Sequence, residues 1–290
     1  MSLFNINKLS LFAITAVILS LFCSPVFSDQ NDIKTKMEIN WKTGDITIST
    51  ESFIPDNTDN LTTARFRISE SIDRHLTEIA AESFDGLYLD SLRSVRTFLK
   101  ENQTGMTKFD SLNQSIEKIS SSFSRDLSTV KNIYKYNIYS DLMPILITHS
   151  HPAPIPAVLD FEPTASFSGI VIYAADSLPL YGESGTGLLK PAVFPRIYDE
   201  NMDLLASVKM AEPGYLQKWG FAGYTESTDL RDFESRIGLY PFFTTASAVF
   251  GNNRTDIIIS REAARKILYN KENRRLIREG RILVIFSAGE

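Results

Sequence analysis

Cysteine, tryptophan and histidine are the scarce residues of this 290-residue chain, with one, two and three copies. The single Cys23 follows an apolar run, Leu9 to Phe22, that only Ser10, Thr15 and Ser20 interrupt and that Lys8 precedes. A basic start followed by such a run is the n-region and h-region of a secretory signal, and it is shorter than the ~20 residues a spanning helix needs. Pro25 and then Val26-Phe27-Ser28 follow, and the small Ser28 marks a cleavage site that leaves Asp29 as the first mature residue. Cleavage there removes the only cysteine, which excludes disulfides, thiolate metal sites and a cysteine nucleophile from the mature chain. The alternative is lipidation of Cys23, giving a membrane anchor, although Phe22 stands where that processing requires a small residue.

No second apolar stretch is long enough to span a bilayer. Positive charge is also in deficit: Lys8 is the only charged side chain of residues 1–28, so 29 basic side chains face 35 acidic ones from Asp29 onward, a net charge of −6. That balance excludes nucleic-acid binding by a broad cationic face. Without disulfides the fold must rest on its apolar core, and about 260 residues suffice for one large or two modest domains.

What is present is clear periodicity. Met37, Ile39 and Trp41 alternate, Lys42-Thr43-Gly44-Asp45 turns, and Ile46 and Ile48 resume the two-residue period, which predicts a β-hairpin with Gly44 in the turn. Leu61, Ala64, Ile68, Ile72, Leu76 and Ile79 form one helical stripe that Asp85-Gly86 should end with a left-handed cap. Asp90 or Ser91 reads as the N-cap of a helix carrying Leu92, Val95 and Phe98. A capping box at Thr107 and Asp110 opens another helix through Phe109, Leu112, Ile116, Ile119 and Phe123, and Val130 to Tyr139 is a tyrosine-rich strand.

Four prolines between His149 and Pro163 rule out regular structure there. Beyond them strands are expected at Gly169–Ala174, Leu188–Ile197, Phe242–Phe250, Asp256–Ile259 and Arg281–Phe286, with helical segments at Arg261–Leu268 and Asn273–Arg278. The expected organisation is α+β throughout. A signal peptide over 1–28 precedes a domain of helices packed on an antiparallel sheet over 29–148; a proline-rich linker over 149–163 then leads to a second mixed α+β, strand-rich domain over 164–290.

The first unit, with Ala64-Arg65, the helical stripe, Gly86-Leu87-Tyr88-Leu89-Asp90-Ser91, Val95, Thr97 and the strand holding Tyr134, resembles the bacterial "Lpp-twenty" lipoprotein family and the N-terminal domain of the flagellar-assembly protein FlgT. The second resembles a region of secreted proteins of unassigned function, through Phe167-Ser168-Gly169-Ile170-Val171-Ile172, Pro195-Arg196-Ile197-Tyr198-Asp199-Glu200 and Gly251-Asn252-Asn253-Arg254-Thr255-Asp256. The resemblance implies an exported protein of the periplasm or outer membrane, peripherally attached or lipid-anchored. Its partners would be envelope or flagellar proteins, with no enzyme activity.

Chemical motifs are incomplete. Ser115-Ile116-Glu117-Lys118 has the serine-to-lysine spacing of penicillin-binding proteins, but its lookalike companion motifs precede it instead of following. His149-Ser150-His151 could set two imidazoles on one side of an extended segment as a metal site, with Asp160 and Glu162 nearby, yet a third ligand at recognisable spacing is missing. Gly182 to Gly187 is a phosphate-loop lookalike without the helix that such chemistry needs, so a turn between strands is expected. Arg196, Asp199 and Glu200, with Arg254 and Asp256, are a candidate binding patch, since guanidinium groups suit carboxylates, against the alternative of loops pinned by local bonds. No catalytic, metal or cofactor residue is assigned. The reading is a non-catalytic assembly or interaction protein of the envelope, with an envelope enzyme or metal binder using His149 and His151 as the alternative.

Overall fold

The computed structural model describes residues 33–54 and 60–289. Cys23, Ser28 and Asp29 lie outside them, as does the whole of the expected signal peptide over 1–28.

The first sheet grows from the predicted hairpin. Strands β1 (Lys34–Asn40) and β2 (Asp45–Phe53) pair in antiparallel register, with Met37 opposite Ile48 and Ile39 opposite Ile46. Gly44 takes φ +74° in the turn and its N–H donates to the Asn40 carbonyl at 2.8 Å. Helices α1 (Leu61–Arg74) and α2 (Leu76–Ser83) follow. The stripe expected to be continuous breaks at His75, where φ −99° and ψ 12° leave the helical region. The His75 Nδ1 donates to the Ser71 carbonyl at 2.8 Å. Gly86 sits in a short 3-10 turn and does not take the left-handed cap expected of it.

Helix α3 (Val95–Glu101) is capped by Ser94, not by Asp90 or Ser91, and α4 (Gln103–Asn113) is capped by Asn102. Residues 118–123, expected to continue that helix, instead form strand β3 (Lys118–Phe123), which pairs with β4 (Thr129–Asn137). Three consecutive serines favour neither helix nor core, and the open edge of β4 offers their backbone a full set of partners. The antiparallel order is β1-β2-β4-β3. Its inner face packs Phe84 against Phe109 and Tyr136, with ring centroids 5.5 and 5.7 Å apart. The unit ends in a short helix α5 (Met143–Leu146).

The second unit is a seven-stranded mixed sheet. In chain order it contains β5 (Ile170–Ala174), the two-stranded β6 (Leu178–Pro179) and β7 (Thr186–Gly187), β8 (Ile197–Asp199), β9 (Leu204–Ala206), α6 (Pro213–Trp219), β10 (Gly223–Thr225), α7 (Glu234–Ile237), β11 (Phe242–Phe250), β12 (Asp256–Ile259), α8 (Arg261–Tyr269), α9 (Lys271–Arg278) and β13 (Ile282–Phe286). The large sheet runs β10-β13-β5-β11-β12-β8-β9, with β13 and β11 both parallel to β5. Strands β5 and β13 are covered on both faces, which is why Ile170-Val171-Ile172 and Ile282-Leu283-Val284-Ile285-Phe286 read as unbroken apolar runs. The strand expected over 188–197 survives only as β8: Pro191 and Pro195 lack donors, and the amides of Val193 and Phe194 are bonded to the first unit. Gly182 to Gly187 is the turn expected between strands, here β6 and β7, with left-handed Gly182 and Gly185.

One apolar core runs through both units, from Ile46 and Ile48 to Val284 and Phe286. Residues 149–163 contain no helix or strand. They lie against the second unit, with the Ala153 N–H donating to the Lys209 carbonyl at 2.7 Å and Glu162 paired to Arg265 at 2.8 Å. No described helix is long and apolar enough to cross a membrane.

Candidate functional site

The turn between α2 and α3 is where the two units meet. Asp90 is its organiser: Oδ1 accepts the N–H groups of Leu92 and Arg93, each at 2.9 Å, and Oδ2 accepts Nε and Nη2 of Arg93 at 3.2 and 2.8 Å. This local ring of bonds holds the backbone away from helix and exposes the carbonyls of Tyr88, Leu89, Asp90 and Ser91 to the second unit. Val193 donates to Tyr88 and Phe194 to Leu89, at 3.0 and 2.7 Å. Asn253 donates its backbone N–H to the Ser91 carbonyl and its side-chain amide to the Asp90 carbonyl, at 3.1 and 3.2 Å. Tyr88 to Ser91 thus forms much of an interdomain joint.

A second joint lies at the hairpin. Trp41 meets Tyr224 edge-on at 5.2 Å and Lys42 pairs with Asp232 at 2.6 Å. Tyr139 lies against Gly220, where a Cβ would stand 2.7 Å from its ring.

Beside the first joint opens a cavity of about 470 Å³. Its walls are Leu89, Asp90, Arg93 and Phe98 from the first unit, Leu146 to His149 from the segment leaving it, and Phe194, Arg196, Leu204 and Ser207 to Lys209 from the second. The floor is apolar, because Phe98, Leu146 and Phe194 are buried. The polar part is cationic: Arg93, Arg196 and Lys209 face the single carboxylate of Asp90, which Arg93 already occupies.

Arg196 is placed by its own backbone, whose N–H donates to Asp256 Oδ1 at 3.0 Å. Burial works against its charge, but the Tyr198 hydroxyl and the Asp256 and Asp90 carboxylates outweigh it and raise its pKa above the ordinary arginine value. Asp256 is fully buried, and burial pushes its carboxyl up from the usual range. Its Oδ2 has no hydrogen-bond partner among the described residues.

The five residues of the sequence-defined patch therefore divide. Arg196 lines the cavity, and Asp256, buried behind it, accepts its backbone N–H. Asp199 turns inward, with Oδ1 accepting the N–H groups of Asn201 and Asp203 at 2.9 Å each. Glu200 accepts the Arg261 N–H at 3.3 Å, at the start of α8. Arg254, with φ +54°, stacks its side chain over Gly187. Sequence reasoning missed Arg93 and Lys209: Arg93 follows the segment 86–91, which reads only as a resemblance and a helix cap, and Lys209 neighbours no motif. The proline-rich stretch beginning at His149 was the nearest signal.

The two histidines of the pair are held by separate partners. His149 Nε2 bonds the Ala211 carbonyl at 2.9 Å and His151 Nδ1 the Ser150 hydroxyl at 3.0 Å. Among the described residues no group of three or more His, Cys, Asp or Glu is arranged to hold a metal ion. Ser115 and Lys118 are also apart in function: Ser115 Oγ donates to the Leu112 carbonyl at 2.9 Å, while Lys118 Nζ reaches Asp73 at 2.7 Å from a strand.

Residues 32–145 match the family described as Treponema pallidum Tp0624, N-terminal domain, and residues 169–288 match Treponema pallidum Tp0624, second domain. No curated protein matches the chain. The Lpp-twenty and FlgT names expected from the first unit find no support in these matches. The cavity lies between the two matched regions, and the chain is a two-domain member of the Tp0624 family.

Proposed function

We propose that this chain is an exported envelope protein of the periplasm or outer-membrane surface that works by binding, as an assembly or interaction factor, and transforms nothing. The observation that carries the reading is the shared cavity: both domains contribute side chains to it, and two joints fix their geometry. Sites between domains are a common place for ligands, and a fixed frame favours recognition by preorganisation. The leader ending near Ser28 supports export. Flagellar assembly is the narrower version of this role, resting on the likeness to the FlgT domain alone.

A photo-crosslinking residue at Thr148, which is exposed on the cavity wall, tests the reading in living cells. Envelope components should be captured, and the captured chain should begin at Asp29. An intact chain starting at Met1 and found in the cell interior overturns it. A chain beginning at a lipid-modified Cys23 would make it an anchored protein with the same binding role.

A further inference from the structure

We infer that the interdomain cavity binds a small organic oxyanion, a carboxylate or phosphate head on an apolar body. The inference deepens the binding role proposed above and rests on it.

Charge comes first. Three cations line the cavity and its one lining carboxylate, Asp90, is fully engaged by Arg93 and by the backbone of its own turn. Neither Arg196 nor Lys209 has a carboxylate within 4 Å among the described residues, and Arg93 Nη1 has only Glu101, at 3.9 Å. The chain as a whole carries a net charge of −5. A local excess of cations over carboxylates on an acidic protein concentrates anions where the field is focused, and guanidinium groups suit the planar or tetrahedral oxygens of carboxylate and phosphate.

Shape decides the body attached to that head. A simple ion would need only the cationic rim, whereas Phe98, Leu146 and Phe194 form an apolar floor and Leu204 and Val208 extend it. The volume, about 470 Å³, falls within the ~300–1,000 Å³ of small-molecule sites. The His149 Nε2 is committed to Ala211, which fixes the ring at the wall.

Calorimetry on the chain from Asp29 with inorganic phosphate, hexyl phosphate, hexanoate and hexanol tests the site. Hexyl phosphate or hexanoate should bind about tenfold tighter than inorganic phosphate, and hexanol should not compete. Replacing both cations, Arg196→Gln with Lys209→Gln, should weaken binding about tenfold or more, while raised salt weakens it in the unaltered chain. Lys209→Glu, on an exposed side chain, keeps the test open if the double variant unfolds. Absence of saturable binding up to about 10 mM, equal binding of hexanol, or affinity unmoved by the variants overturns the site. Release of phosphate from hexyl phosphate would instead overturn the non-catalytic reading and leave the site standing.

Discussion

The amide of Phe194 donates to the carbonyl of Leu89 at 2.7 Å, a strand-like bond between residues of different domains. With Val193 on Tyr88 and Asn253 on Asp90 and Ser91, it makes the turn of one domain part of the backbone network of the other. Backbone bonds of this kind specify geometry without needing a particular side chain, and their strength lies in the cost of leaving buried groups unpaired.

Gly251 supplies a direct test of that joint. It takes φ +88°, and a Cβ there would stand 2.4 Å from the Ser91 Cβ. Gly251→Ala should therefore cost about 2–3 kcal/mol, combining backbone strain with displacement of the Ser91 turn. Gly182 is the control: it has φ +80° but nothing within 4 Å of an added Cβ. Gly182→Ala should cost only about 1 kcal/mol. Urea unfolding midpoints at constant slope compare the two, and equal losses would show that the joint yields freely.

Tyr134 anchors the inner face of the first sheet to α1. Its hydroxyl donates to Asp73 Oδ1 at 2.6 Å and accepts from the Asn132 amide at 3.2 Å. Burial, reinforced by Asp73, raises its pKa far beyond the ordinary tyrosine value, so it stays a neutral donor throughout the working range. Tyr134→Phe should lower stability by about 1–2 kcal/mol, with the ring contacts kept. A loss below about 0.5 kcal/mol would mean that water replaces the bond.

Arg236 is buried, with no carboxylate partner among the described residues. It donates to the carbonyls of Gly280, at 2.8 Å, and Ile282, at 3.2 Å, and also to that of Trp219. Desolvation lowers its pKa to about 10, still above neutrality. Arg236→Met removes the donors and leaves three carbonyls short, at a cost of about 3 kcal/mol. Denaturation that is unchanged in this variant would contradict the assignment of Arg236 as the pin between α7, α6 and β13.

Asp256 predicts a pH effect with a definite sign. Its folded pKa is raised above the ordinary 3.8, chiefly by burial, with Asp90 adding to the shift and Arg196 opposing it. Between the unfolded and folded values the native chain holds a proton that the unfolded chain has lost, so stability from this group falls as pH rises through that window. The stability difference between the unaltered chain and Asp256→Asn should accordingly change on acidification from neutrality toward about pH 4, by relief of the buried charge in the unaltered chain. A difference independent of pH across that window would show that burial leaves the carboxyl unshifted.

The hairpin about Gly44, the tyrosine strand, the apolar runs of β5 and β13 and the two closing helices were legible in the residues, because each is set by a local period of two or by caps and stripes. The helix expected through Phe123 failed for the opposite reason. Ile116, Ile119 and Phe123 have helical spacing, but the open edge of β4 captured the backbone from Lys118 to Phe123, and spacing cannot register a partner distant in sequence. Asp90 shows the same limit. Its type and position suit an N-cap, yet it binds its own turn so that Leu89 and Ser91 can serve another domain.

Sequence by itself determined the leader-like apolar opening, the α+β character of both domains, and the lack of thiol chemistry after Ser28, since these depend on composition and on residues close together in the chain. Tertiary structure alone decided that Arg93, Arg196 and Lys209 surround one cavity. Those residues are separated by 103 and 13 positions, and only the pairing of strands and the interdomain joint bring them to one wall, through contacts whose partners no local pattern can name.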